Sequence, residues 1–324
     1  MHAMLVTQPG GPEVFAWEEV PLDPPGPGEV QVQILAVGVN PVDRRVRRGE
    51  YPAARLPFIP GNDAAGVVTA VGSGVERIRV GDRVYVSASH IGRGGATYAE
   101  ATNVLEAACW PLPDGFSFAE GAALGLPYTT GYRALALSQA RPGDTILVRG
   151  ASGGVGTAVL QWARVLGIAT VGTASTEAGR QHVLAQGARA ALDHRDREGL
   201  KALAGSGFAA VIDVAATEHL TDDVALTAPG GHVVMVSVST PATVPIRDIQ
   251  GKGITLVGVS GRTWRPGEQE QIHRRLQPWL FAGAIRPVIW RRFPLQEAGA
   301  AQEVQAEGGA VGKVVLIPPA GETA

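Results

Sequence analysis

Cysteine is almost absent from this chain of 324 residues, with Cys109 the only one. A lone thiol excludes an intramolecular disulfide and fits a reducing compartment, so the cytoplasm is the default expectation. Lysine is scarce as well, at positions 201, 252 and 313 only, with arginine as the main base. That bias reads as codon usage rather than function. Long apolar runs are missing, and nothing approaches the roughly 18–20 residues that a membrane span requires. The opening stretch MHAMLVTQPGGPEV lacks the basic segment leading into an apolar one that marks a signal peptide. Neither sign of charge dominates: the net charge is −2 and charged residues make up 18%. Binding to a phosphate backbone wants a positive excess or a basic stripe, so nucleic acid is not an expected partner.

What the chain does hold is 45% hydrophobic residues, 43 glycines and enough length for about two domains, each able to bury a core. In the first third, Val30, Val32 and Ile34 alternate with Glu29, Gln31 and Gln33, the period of a half-buried strand. Further strands are expected at 66–71, 82–87 and 97–104, between Gly-rich turns, giving a mostly antiparallel β domain. From about 125 to 263 the texture changes to six short apolar runs, at 145–150, 169–174, 188–193, 209–215, 232–238 and 254–259. Helices fit 154–167, 176–186, 196–204 and 218–228 between them, the pattern of a parallel, doubly wound α/β sheet. A long helix near 267–283, a strand at 286–293, a helix at 296–306 and a last strand at 312–317 follow. Those late strands are free to rejoin the first domain, which would make it discontinuous. The expected division is 1–125, completed by 264–324, and 126–263.

The first of the six runs leads into VRGASGGVGT (148–157), with glycines at 150, 153, 154 and 156. The spacing departs from the strict G-x-G-x-x-G fingerprint. Bare backbone N–H groups around a concavity at a helix N-terminus nevertheless suit a diphosphate. The alternative is a turn that merely lets strand and helix pack closely. Its place on the first strand of a six-run α/β unit favours a dinucleotide, and no Walker lysine follows Gly156.

An NAD site usually carries an acid at the end of the second strand to accept both ribose hydroxyls. Here that end is Gly172-Thr-Ala-Ser175, and Glu177 falls where a helix dipole attracts an acid anyway. Ser175, Arg180 and, after the third strand, His194 and Arg195 form a corner suited to a 2′-phosphate, which points to NADPH. Taken singly, each arginine equally fits a solvated surface base.

The segment IPGNDAAGVVTAVG (59–72) closely resembles a signature of the medium-chain dehydrogenases/reductases. In the zinc alcohol dehydrogenases of that superfamily a Gly-His-Glu triplet stands where this chain has Gly61-Asn62-Asp63, and a ligand cysteine where it has Asn40. No four-cysteine cluster follows GDRVYV (81–86), and with one cysteine and seven scattered histidines no ligand set for zinc is offered. The resemblance therefore narrows to the zinc-independent quinone oxidoreductases, the ζ-crystallin-like branch. GVNPVD (38–43), RRGEYP (47–52), PGNDAAGVV (60–68), GAALGLPYTTGYRAL (121–135), GDTILVRGASGGVG (143–156), PGGHVVMV (229–236) and VGKVVLIP (311–318) carry it from end to end.

The resemblance implies a GroES-like β domain, a Rossmann domain and NADPH spanning a cleft between them. By match, Ser152, Gly153, Gly154 and Val155 would meet the diphosphate. Ser175 and His194 would meet the adenosine ribose end, beside the Arg180 of the 2′-phosphate corner. Asn40, Tyr51 and Thr130, with Val259 and Ser260, would lie at the cofactor, and Asn40 and Tyr51 would also position nicotinamide and acceptor. The implied reaction is NADPH-dependent reduction of a quinone without a metal. Alternatives are reduction of an enone, alkenal or enoyl thioester, and a crystallin-like or RNA-associating NADPH-binding protein with little catalysis. Asp43 reads as a helix cap, Tyr128 as a core aromatic, and Arg44, Arg45, Arg47 and Arg48 as a solvated face. The apolar sixth run lies at a sheet edge through which relatives pair, so a homodimer, or a dimer of dimers, is expected.

Overall fold

The structure, a computed structural model, describes residues 1–50, 55–87, 96–215, 219–237 and 241–321. The chain divides into two compact units, one of Met1–Leu126, Arg265–Gly308 and Lys313–Ala324, the other of Pro127–Trp264 and Gly309–Gly312.

The first unit contains β1 (His2–Val6), β2 (Phe15–Glu19), β3 (Glu29–Gly38), α1 (Pro41–Arg47), β4 (Asp63–Val71), β5 (Arg83–Ser87), β6 (Ala101–Leu105), β7 (Cys109–Pro111) and α2 (Phe118–Ala122). A further helix, α3 (Gly125–Leu137), begins here and runs into the second unit. β3 behaves as its pattern predicts over its first half, where Val30, Val32 and Ile34 are fully buried. Beyond Ile34 the alternation ends, because residues 35–38 are buried throughout. There β4 pairs along one side, a late strand takes up the other, and α2 packs on the sheet. β4 begins at Asp63, earlier than the periodicity suggests, and β6 begins at Ala101, later.

The second unit runs β8 (Thr145–Arg149), α4 (Gly154–Val165), β9 (Ala169–Thr173), α5 (Glu177–Ala185), β10 (Ala190–Leu192), α6 (Arg197–Ala204), β11 (Phe208–Asp213), α7 (Leu220–Leu226), β12 (Thr227–Met235), α8 (Ile246–Lys252) and β13 (Thr255–Gly258). Its six strands are all parallel in the order β10-β9-β8-β11-β12-β13, a doubly wound sheet that reverses direction between β8 and β11. Strands covered on both faces read as unbroken apolar runs, and Ile146, Leu147 and Val148 are each fully buried. α3 packs on α4 because Gly131 brings the backbones together: a Cβ there would stand 3.0 Å from Ala158 Cβ. Tyr128 is the core aromatic expected, its hydroxyl donating to Gln161 at 2.7 Å while Trp162 Nε1 donates to the Tyr128 carbonyl at 3.1 Å.

The chain closes with α9 (Glu268–Phe281), β14 (Ile289–Pro294), α10 (Ala298–Ala306) and β15 (Lys313–Ile317). β15 pairs antiparallel to β3 and parallel to β14, so the late strands extend the sheet of the first unit to seven, with β6 also on β3. The fold is α/β, a mostly antiparallel sheet in the first unit and a doubly wound parallel sheet in the second. Among the described residues no helix is long and apolar enough to cross a membrane.

Candidate functional site

In the second unit the Gly-rich turn joins β8 to α4. Gly150 has φ +66°, Gly153 is the N-cap of α4, and no side chain caps that helix end. Gly154 and Val155 open its first turn, half-buried with Gly153, and Ser152 is buried. The turn is braced from outside: Gly312 N–H donates to the Ser152 carbonyl at 2.7 Å, and Gly153 bridges Gly312. Below it, Thr157 Oγ1 lies 2.8 Å from His182 Nε2. A positive helix end with no protein cap and almost no side-chain bulk is a fitting cradle for the diphosphate of a dinucleotide.

Ser175, Arg180 and His194, expected at the adenosine end, stand beyond the C-terminal ends of neighbouring strands. Ala151 N–H donates to the Thr173 carbonyl and Ala174 N–H to the Leu192 carbonyl, which aligns the ends of β8, β9 and β10. Ser175 is exposed just beyond β9, ahead of the Thr176 cap on α5. Arg180 does not stand free. Its Nη2 donates to Glu177 Oε2 at 2.9 Å, and its Nη1 lies 3.2 Å from the Ala174 carbonyl and 3.4 Å from Asp193 Oδ2. His194, half-buried, sits 3.8 Å from Asp193 and 5.5 Å, ring to ring, from His219. Sequence spacing shows the bases of this corner but hides the two carboxylates that hold Arg180. Across the same unit, Arg133 of α3 donates to the Ser260 carbonyl at 3.0 Å, and Val259 N–H donates to the Met235 carbonyl at 2.8 Å. The half-buried Thr130 lies one helical turn before Arg133.

In the first unit the structure builds a buried polar cluster around Asn40. Asn40 Nδ2 donates to Asp63 Oδ2 at 2.8 Å, and its Oδ1 accepts from the ammonium of Lys313. Asp43, the third residue of α1, accepts from Asn40 N–H at 2.8 Å, from Asn62 Nδ2 at 2.8 Å and from the Tyr98 hydroxyl at 3.2 Å. Gln302 in turn donates to Tyr98 at 3.3 Å. Asp43 therefore is the helix cap expected, and more, since it ties three elements together. Burial pushes its carboxyl up to about 7, against the hydrogen bond from Asn40, with the Asp63 charge adding to the rise. Burial also raises Asp63, opposed by Lys313, and lowers Lys313, opposed by Asp63 and Asp43. No sequence pattern singles out Lys313. Tyr51 lies outside the described residues.

Arg44, Arg45 and Arg47 of α1 and Arg48 just after it are not a uniform solvated face. Arg47 is buried, 1% exposed, and its Nη2 donates to Glu303 Oε1 at 2.7 Å, an acid on α10 that sequence distance conceals. Among the described residues no three His, Cys, Asp or Glu side chains converge as a metal-binding group.

The folded state binds more protons at Asp43 than the unfolded chain does, so this stability is present below about pH 4 and is lost as pH rises through about 7. Asp43→Asn is expected to flatten the stability profile between those values by about 1.4 kcal/mol per pH unit. Urea unfolding at pH 5, 6 and 7 measures it, and a profile as steep as that of the parent would show Asp43 to be unperturbed.

A GroES-like sheet followed by a doubly wound parallel sheet with a Gly-rich turn defines a medium-chain dehydrogenase/reductase. The family profile "Alcohol dehydrogenase GroES-like domain" matches residues 26–114, and "Zinc-binding dehydrogenase" matches residues 154–277. The chain is 37% identical to a quinone oxidoreductase of Mus musculus over 98% of both chains. A crystal structure of Escherichia coli quinone oxidoreductase complexed with NADPH superposes with a TM-score of 0.86 at 29% identity, covering 98% of this chain and all of that one. An NAD-dependent alcohol dehydrogenase superposes with a TM-score of 0.89 at 28% identity, covering 98% and 99%. The chain belongs to the quinone oxidoreductase branch of the medium-chain dehydrogenases/reductases.

Proposed function

We propose that this protein is an NADPH-dependent quinone oxidoreductase that works without zinc. The carrying observation is the Asn40 cluster. At the positions where zinc relatives carry cysteine, histidine and glutamate, this chain has Asn40, Asn62 and Asp63, with the Lys313 ammonium 4.0 Å from the Asp63 carboxylate. A divalent cation would have to displace that ammonium to use the one acid among these three positions, and two carboxamides are poor company for zinc.

When bound, NADPH supplies reducing equivalents to the acceptor. The bare turn of Ser152, Gly153, Gly154 and Val155 receives the diphosphate, and Ser175, Arg180 and His194 receive the 2′-phosphate end. Asn40, Thr130, Val259 and Ser260 are assigned to the nicotinamide end, and Tyr51 to the cofactor and acceptor, by resemblance. An unactivated carbonyl needs strong electrostatic support for the alkoxide it becomes. A quinone does not, because its reduced form is an aromatic anion, so residues that hold the acceptor ring in place suffice. A panel of quinones, alkenals and enoyl thioesters with NADPH tests the reading. Turnover of alkenals with none of quinones would reject it.

Arg180 must release Asp193, its longer contact, to meet a phosphate dianion. Arg180→Ala is expected to lower the preference for NADPH over NADH about 10-fold, the worth of one charge-assisted hydrogen bond. The ratio of kcat/KM for the two cofactors measures it, and an unchanged ratio would remove Arg180 from the corner.

β13 is the outer strand of the parallel sheet, with Thr255 and Gly258 exposed. Two copies pairing across that edge would form a homodimer. Light scattering that finds a monomer at micromolar concentration contradicts it. A reducing, cytoplasmic setting goes with the one cysteine, Cys109, which is buried with its thiol pushed up to about 12.

A further inference from the structure

Of the three lysines, Lys313 is the one whose side chain turns inward, 6% exposed, from the first residue of β15. A lysine normally keeps its ammonium in water and lays only its stem on the protein. Here the ammonium donates to Asn40 Oδ1 and lies 4.0 Å from Asp63 Oδ2, while Asn40 Nδ2 donates to that same oxygen at 2.8 Å. Ammonium, carboxamide and carboxylate thus close a ring. The second Asp63 oxygen accepts from Leu126 N–H at 2.9 Å, which anchors the ring to the start of α3. Asp43 and Tyr98 are the other titratable groups of the cluster, with Arg47 acting on Tyr98 by its charge.

A buried ion pair is seldom the cheapest way to fill a core, since apolar residues of similar volume usually stabilise as well or better. What the pair does here that apolar residues would not is to orient an amide. The two ends of a carboxamide are nearly the same size, so shape alone does not choose between its two flips. A cation on one side and an anion on the other do choose, drawing oxygen to Lys313 and nitrogen to Asp63.

We infer that Lys313 is a positioning residue for the reduction: with Asp63 it locks the Asn40 carboxamide in one orientation at the nicotinamide end. This rests on the assignment of Asn40 made above. In the locked orientation Nδ2 is spent on Asp63 and on the Gly38 carbonyl at 3.4 Å, and Oδ1 keeps one lone pair for a donor on the cofactor.

Two variants test it. Lys313→Met removes the cation and leaves Asp63 without its partner, so it is expected to lower the melting temperature and to cut quinone turnover at least 10-fold. The double variant Lys313→Met with Asp63→Asn removes both charges. Its melting temperature should return toward that of the parent, because no unpaired charge is left. Its turnover should stay at least 10-fold down, because a carboxamide in place of the Asp63 carboxylate offers a donor and an acceptor alike and no longer selects a flip. NADPH affinity, followed by cofactor fluorescence, should stay within three-fold, since the diphosphate turn is untouched. A double variant that regains both stability and turnover overturns the inference and leaves Lys313 a structural counter-charge. A readout without cofactor is the pair of Asn40 side-chain amide resonances in the 15N NMR spectrum of the free protein. They should be sharp and distinct in the parent and shifted or averaged in the double variant. If the parent reduces no quinone, the functional reading fails, and these resonances alone decide: an unchanged pair in the double variant overturns the lock, and an altered pair supports it.

Discussion

Gly156→Ala is expected to abolish NADPH binding and to destabilise the second unit by about 3 kcal/mol or more, the upper end of what overpacking a tight site costs. A Cβ at this position would stand 2.3 Å from the Gly150 carbonyl oxygen and 2.5 Å from Ala151 Cα. Both are backbone atoms, so no side-chain rotation relieves the clash, and α4 must move off β8. Gly153 makes the contrast. A Cβ there meets nothing nearer than the Gly150 oxygen at 3.8 Å, and its φ of −75° suits any residue. Gly153→Ala should therefore melt like the parent yet bind NADPH at least 10-fold more weakly, because the added methyl occupies space meant for the diphosphate. Titration of cofactor fluorescence together with thermal melting separates the two. The glycines of one turn then divide into Gly156, which lets strand and helix approach, and Gly153, which leaves room for a ligand. Parent-like NADPH affinity in Gly153→Ala would move the diphosphate elsewhere.

The parts of this fold that were legible in sequence are those where one local rule acts alone. The inner strands β8, β9 and β11 stand out as apolar runs because both faces of the sheet are covered there, and β3 shows its alternation only where one face is. α3 escaped notice because Gly125, Pro127, Thr129, Thr130 and Gly131 are weak helix formers. Its stability comes from packing on α4, with Pro127 harmless in the first turn. At the site, the Gly-rich turn was legible because backbone requirements are written in residue type. The partners of charged side chains were not. Arg47 and Glu303 meet across 256 positions, and Lys313 reaches Asn40 across 273. Nothing in composition distinguishes a buried lysine from a solvated one, or an arginine held by Glu177 and Asp193 from a free one.

Arg149→Ala is expected to cost 3–5 kcal/mol, roughly the penalty for breaking a buried ion pair from one side. Arg149 ends β8 at 2% exposure, and its Nε donates to Asp223 Oδ1 on α7, itself fully buried. Asp213, in register with Arg149 at the end of β11, is buried as well and bears on Asp223. Burial drives the Asp223 carboxyl well above the usual range, with Arg149 opposing and Asp213 adding to the rise. Truncation removes the opposing cation and moves Asp223 further up, so the folded variant holds its proton to higher pH than the parent. Stability bound to that proton is present at low pH and lost as pH rises. The penalty should accordingly be smaller at pH 6 than at pH 9, where an ionised Asp223 has no partner left. Replacing the pair together, Arg149→Met with Asp223→Leu, should recover most of the loss, because two apolar side chains fill the space without a charge to desolvate. Urea unfolding of the three proteins at both pH values checks this. Equal penalties at pH 6 and pH 9 would mean that the arginine contributes packing through its stem, and that its charge is satisfied by something other than Asp223.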